Sequence, residues 1–129
     1  MNTKLNPSAE SPSNVTPGRN PCFGTDPQVA ALNVLLDDEH SYLLPYGHFT
    51  HSEIVPNPAL EKEPDAPPQK LLIRFAAAEV VVLGCGLKAI DRAIQKFELK
   101  FVKAIDRRYA ATLNAHVAAV SITFTKETP

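Results

Sequence analysis

Apolar positions along the chain recur with two periods, and the change from one to the other divides the elements. Between Ala31 and Leu36, Leu32, Val34 and Leu36 alternate with Ala31, Asn33 and Leu35, the two-residue repeat of a strand with one buried face. Asp37-Asp38-Glu39-His40 then predicts a turn and Tyr42–Leu44 a returning strand. Pro45 ends that strand because it has no N–H to give a ladder, and Phe49–Val55 predicts a third. Leu71–Phe75 and Glu79–Leu83 are further β-rich runs, separated by Ala76-Ala77-Ala78, a link short enough for a hairpin. Val80, Val81, Val82 and Leu83 are continuous, the pattern of a central strand covered on both faces. Val120, Ile122 and Phe124 alternate with Ser121, Thr123 and Thr125, which predicts a last strand with one buried and one wet face.

From Leu87 the period lengthens. Leu87, Ile90, Ile94, Phe97 and Phe101 are spaced as the stripe of an amphipathic helix, best defined from Leu87 to Phe97. Residues 99–105 fit either state, since Phe101 and Ile105 continue the stripe while Leu99 and Phe101 also alternate; a break near Glu98 is favoured. The expected class is α+β: a mainly antiparallel sheet of about five or six strands with one amphipathic helix packed on one face or end.

Composition adds boundaries. Residues 1–27 hold five Pro, four Asn, three Ser, three Thr and two Gly but only six apolar residues, too few to offset the entropy of ordering, and are expected to be a disordered tail. Pro56, Pro58, Pro64, Pro67 and Pro68, with Glu61, Glu63 and Asp65, predict a Pro-rich acidic loop at 56–69 within a single domain at 28–129. With 129 residues, 44% of them hydrophobic and 21% charged, one small globular domain is the expectation. No apolar run approaches the roughly 18 residues of a membrane span. The first residues lack the apolar core of a secretory signal, so a cytoplasmic setting is expected, in which Cys22 and Cys85 stay reduced and Asn14-Val15-Thr16 is a chance sequon.

The sharpest motif is Val80-Val81-Val82-Leu83-Gly84-Cys85-Gly86-Leu87-Lys88-Ala89, a strand running through Gly-x-Gly-x-x-Ala into a helix. It resembles the dinucleotide-binding fingerprint of the Rossmann fold and, locally, the first motif of S-adenosylmethionine-dependent methyltransferases. That resemblance implies a nucleotide-type cofactor against Gly84, Gly86 and Ala89, with Asp106 where the family's ribose-binding acid stands. It covers about 28 of the 129 residues, and the 23 that follow Asp106 leave room for one strand, not for the remaining units of a doubly wound sheet. Taken alone, the same residues read as a strand end, a turn and a good helix former, so the expectation is no cofactor. His48 and His51, with Glu53 nearby, invite a metal reading, but residues three apart on a strand face opposite ways, so no metal is expected either. No Ser-His-Asp set or paired carboxylate stands out, which points away from an enzyme.

Charge is segregated although the net charge is only -1. Asp26–Asp65 carries eight acids and one base, whereas Gly86–Arg108 carries seven bases and three acids. Within the latter, Lys88, Arg92, Lys96 and Lys100 repeat every four residues, one basic stripe on a helix. The reading adopted is a small non-catalytic interaction or assembly domain that self-associates, with these four residues as candidate partner contacts, set against acids such as Asp37, Asp38 and Glu39 of a neighbour. Two alternatives stand beside it: nucleic-acid binding through the same stripe, and the cofactor site at the glycine motif.

Overall fold

The structure, a computed structural model, describes residues 20–36, 39–106, 108 and 113–124. Over the described residues it is an α+β arrangement of eight strands and one α-helix. The strands are β1 (Phe23–Thr25), β2 (Ala31–Leu35), β3 (Ser41–Pro45), β4 (Phe49–Pro56), β5 (Gln69–Phe75), β6 (Ala78–Cys85), β7 (Leu99–Lys103) and β8 (His116–Phe124); α1 is Lys88–Gln95. They divide into two four-stranded sheets, ordered β1-β7-β2-β3 and β4-β5-β6-β8, rather than the single sheet expected. Every pairing is antiparallel except β2 with β7. The division falls at Pro45, where a 3₁₀ turn, Tyr46–His48, separates β3 from β4 and carries the chain from one sheet to the other. Residues Leu99–Lys103, which fitted either state, are strand.

One hydrophobic cluster joins both sheets and the helix. Leu32 and Val34 of β2, Leu71 and Ile73 of β5, Val80 and Val82 of β6, Ile90 and Ile94 of α1, and Val102 of β7 are all fully buried. β6 is central, between β5 and β8, but its burial alternates: Val81 and Leu83 are half-buried, so its outer face is not covered as the continuous run suggested. The β5–β6 hairpin turns through Ala76 and Ala77, with Ala78 already in the ladder opposite Phe75. Burial pushes the Tyr46 phenol up to about 12, and its hydroxyl donates to the Leu99 carbonyl oxygen at 2.6 Å.

The helix stops earlier than its apolar stripe. The Phe97 N–H donates to the Ile94 carbonyl and the Glu98 N–H to the Ala93 carbonyl, the paired bonds of a Schellman cap. Phe97 occupies the left-handed position, at φ 58°, where glycine is usual. Its ring stacks on Tyr46 with centroids 5.2 Å apart and meets Phe49 edge-on. The stripe therefore ends in an aromatic cluster, and Phe101 belongs to β7.

Residues 20–27, read from composition as part of the tail, are in the fold. Asn20 and Cys22 are buried, and β1 pairs with β7. Two kinds of contact hold them: Cys22 lies fully buried in the core with Phe23 packed against it, and the Asn20 amide donates to Asn114 Oδ1 and to the Ala115 carbonyl while its Oδ1 accepts the Cys22 N–H at 2.7 Å. Residues 1–19 lie outside the described residues. In the Pro-rich segment, Asn57 is buried and closes the loop on itself. Its N–H donates to the Pro68 carbonyl, its amide to the Pro67 carbonyl at 2.7 Å, and its Oδ1 accepts the Ala59 N–H to cap a 3₁₀ turn at Pro58–Glu61.

Candidate functional site

The glycine motif forms a structural junction. A Rossmann unit needs its two strands parallel in one sheet around the helix, whereas here β6 and β7, which flank α1, lie in different sheets. Gly84 is buried in β6, and a Cβ there would stand 1.9 Å from the His116 carbonyl oxygen. Gly86 has φ +64°, and a Cβ on it would lie 2.3 Å from the Asn114 carbonyl oxygen. Both glycines thus admit the 114–117 backbone. The first free N–H of the helix approach, on Leu87, donates to Gln69 Oε1 at 2.9 Å, and Ala89 is half-buried on α1. Asp106 is exposed and accepts the Arg108 N–H.

Gly84 and Asp106 do converge on one open concavity of about 580 Å³, lined also by Cys85, His116, Pro67 and Pro68. Cys85 and His116 are register partners across β6 and β8. The His116 ring is committed to the fold, with Nε2 2.8 Å from the Ile105 carbonyl and 3.3 Å from that of Asp106. Among the described residues, no group of three or more His, Cys, Asp or Glu side chains could hold a metal; His48 and His51 are exposed, in the 3₁₀ turn and on β4. Cys22 and Cys85 are both free thiols. Burial pushes the Cys22 thiol up, against the lowering influence of the Val117 N–H and Lys103.

The basic residues do not form one helical stripe. Lys88 and Arg92 are exposed on α1, Lys96 caps it, and Lys100 lies beyond the Schellman turn on β7. Asp37 and Asp38, their expected counterparts, fall outside the described residues.

The sheet edges differ sharply. An unpaired edge exposes backbone donors and acceptors, and proteins usually blunt it with charge, bulges or short length. β1 has three residues and a register shift at Gly24/Thr25. β4 is irregular between Phe49 and His51, carries Glu53, and is tied to the helix where the Ser52 hydroxyl donates to Asp91. The start of β8 is engaged at Val117, whose N–H donates to Cys22 Sγ and whose carbonyl accepts the Ile105 N–H; from Ala119 to Phe124 it is uncharged and pairs with β6 alone, and its end lies against β3 where the Phe124 ring meets Tyr42. β3 has none of these devices except its terminal Pro45: Ser41-Tyr42-Leu43-Leu44-Pro45 is uncharged and pairs in unbroken register with β2 alone.

The phase of the β2–β3 ladder settles which β3 groups face outward. Hydrogen bonds from Leu36 N–H to the His40 carbonyl and from Tyr46 N–H to the Ala30 carbonyl bracket the pairing. Bonded and non-bonded pairs alternate in an antiparallel ladder, so Asn33–Leu43 and its neighbours two residues away are non-bonded pairs. The N–H and C=O of Ser41 and Leu43, and the C=O of Pro45, therefore point away from β2. Leu43 is 67% exposed and Tyr42 38%, and the Tyr42 ring meets the exposed Phe124 ring edge-on at 5.0 Å. Exposed apolar side chains and open backbone groups thus coincide on β3. Sequence reasoning had this strand but not its significance; the absence of any charge from Ser41 to Pro45 was the available signal.

Comparison with protein-family models, curated proteins and solved structures returns no match to this chain.

Proposed function

We propose that the protein is a small, non-catalytic self-association domain that makes its contact through the open edge of β3. The observation that carries this reading is Leu43, two-thirds exposed at the centre of an uncharged strand whose outward backbone groups have no ladder partner among the described residues. Covering Leu43, Tyr42 and Phe124 removes apolar surface from water while pairing the edge. A cytoplasmic setting belongs to the same proposal, supported by two unpaired thiols. Among the described residues no helix is long and apolar enough to cross a membrane.

Light scattering coupled to size-exclusion chromatography tests the reading on the full chain and on Leu43→Lys. A charge on the edge strand blocks pairing without entering the core. The expected result is an oligomer for the wild type and, for the variant, a monomer that still unfolds cooperatively, its melting temperature lower only by the concentration-dependent contribution of association. A wild type that stays monomeric as concentration rises would overturn it.

A further inference from the structure

We infer that the partner of β3 is the β3 strand of a second copy, paired antiparallel about a two-fold axis through Leu43, so that the two four-stranded sheets become one of eight. The inference rests on the self-association reading above and adds the partner element, its direction and its register.

The ladder phase carries it. An antiparallel strand pairs with itself only if residues on either side of the axis offer matching groups. About Leu43, position 41 meets 45, 42 meets 44, and 43 meets 43. The outward residues of β3 are 41, 43 and 45, so every outward residue meets an outward residue. The Leu43 N–H and C=O of one copy would bond those of the other, and each Ser41 N–H would bond the opposite Pro45 carbonyl. Pro45 has no N–H, so the ladder stops there on both sides. A shift that pairs residue 43 with 45 keeps two of the four bonds, because Pro45 has no N–H to donate; a shift that pairs 43 with 41 keeps four but sets each Leu43 opposite Ser41, so contact between the two Leu43 side chains selects the centred register.

Side chains agree with the backbone. Leu44 is buried, whereas Leu43 points to the opposite, outer face. There the register runs Gly24–Phe101–Asn33–Leu43 across the sheet. Pairing would continue this row into its copy and bring the two Leu43 side chains together. No charge lies between Ser41 and Pro45, so a self-pair places no like charges opposite one another. A contact made by the same patch on both copies closes after two subunits and leaves no open end.

Disulfide trapping in the full chain tests the register. In a Cys85→Ala background, Leu43→Cys should give a covalent dimer under mild oxidation. Directly opposite residues of a bonded pair lie about 5.5 Å apart at Cα, inside the range a disulfide bridges. Ser41→Cys alone should not cross-link, being about 14 Å from its copy at a rise near 3.4 Å per residue, whereas Ser41→Cys with Pro45→Cys should. Leu43→Pro is the second arm: the Leu43 N–H faces away from β2, so the fold should survive as a cooperatively unfolding monomer while the doubled mass is lost.

A doubled mass without the Leu43→Cys cross-link, and insensitive to Leu43→Pro, would overturn this register and leave self-association standing. A monomeric wild type would overturn both. A dimer seen only when the chain begins at Asn20 would assign the edge to the protein's own N-terminal segment and overturn the pairing between copies.

Discussion

Gly84 and His116 meet backbone against backbone, so closely that a Cβ on residue 84 would lie 1.9 Å from the His116 carbonyl oxygen. Neither group can yield, because Gly84 is buried within β6 and His116 is its neighbour on β8, held by its ring nitrogen to the Ile105 carbonyl. Gly84→Ala should therefore separate β6 from β8 and cost more than about 4 kcal/mol, in the exceptional range for a point substitution. Thermal or urea unfolding measures it. NAD, NADP, adenosylmethionine and ATP should leave the wild-type melting temperature unmoved; a ligand present at 100 times its dissociation constant would add about 2.7 kcal/mol.

Removing residues 1–27 should destabilise the protein, contrary to what composition alone suggests. That deletion takes β1, the fully buried Cys22, and Asn20, whose amide bonds Asn114 and Ala115. A chain beginning at Asn20 keeps all three. The expected outcome is a clear drop in melting temperature for the first chain relative to the second; equal values would show that β1 adds nothing.

The extent to which the sequence foretells this structure follows from which forces leave a local pattern. Alternation marks β2 and the end of β8, and the three-four spacing of Leu87, Ile90 and Ile94 marks α1, because each element buries one face. β1 leaves no such pattern: it is three residues long and pairs with β7 some 75 positions away, while Asn20 just before it is held by side-chain amide bonds to Asn114 and Ala115. The parallel β2–β7 pairing is likewise invisible, being set by how two sheets share a core. The end of α1 at Gln95 defeats the apolar stripe because Phe97 takes a glycine-like backbone position that its ring contacts support. The candidate site was half visible. The uncharged run at β3 stands in the sequence, but that it is an edge, and which of its groups face outward, follows only from strand order and ladder phase.

The two thiols should react in sequence. Cys22 is fully buried, its sulfur accepts the Val117 N–H at 3.3 Å, and burial raises its pKa, so the reactive thiolate is disfavoured. Cys85 is half-exposed at the concavity. A thiol reagent such as iodoacetamide should modify Cys85 in the native protein and Cys22 only on unfolding, with mass spectrometry of peptides as the measurement. Early modification of Cys22 would mean that the β1 segment opens locally.

Charge reversal at the basic residues separates association from a nucleic-acid role. Arg92 and Lys96 are exposed on and after α1 and have no part in β3. Arg92→Glu with Lys96→Glu should change stability by no more than about 0.5 kcal/mol per site, and the doubled mass should persist. The wild type should show no salt-sensitive binding to short RNA or DNA. Tight binding that falls steeply with salt, and is lost in the double variant, would restore the nucleic-acid reading.

Phe97 sets two local energies against each other, and two substitutions separate them. Its backbone lies at φ 58°, which costs a residue with a Cβ about 1 kcal/mol relative to glycine. Its ring offsets this by stacking on Tyr46 and meeting Phe49 edge-on, each aromatic pair contributing about 0.5–1.5 kcal/mol beyond burial. Phe97→Ala keeps the backbone cost and loses both contacts, whereas Phe97→Gly loses the contacts but removes the cost. Both should destabilise, with the alanine variant the weaker by about 1 kcal/mol in urea unfolding. Equal stabilities would mean that the helix end relaxes out of the Schellman turn once the ring is gone. A glycine variant as stable as the wild type would mean that the aromatic contacts do no more than offset the backbone cost.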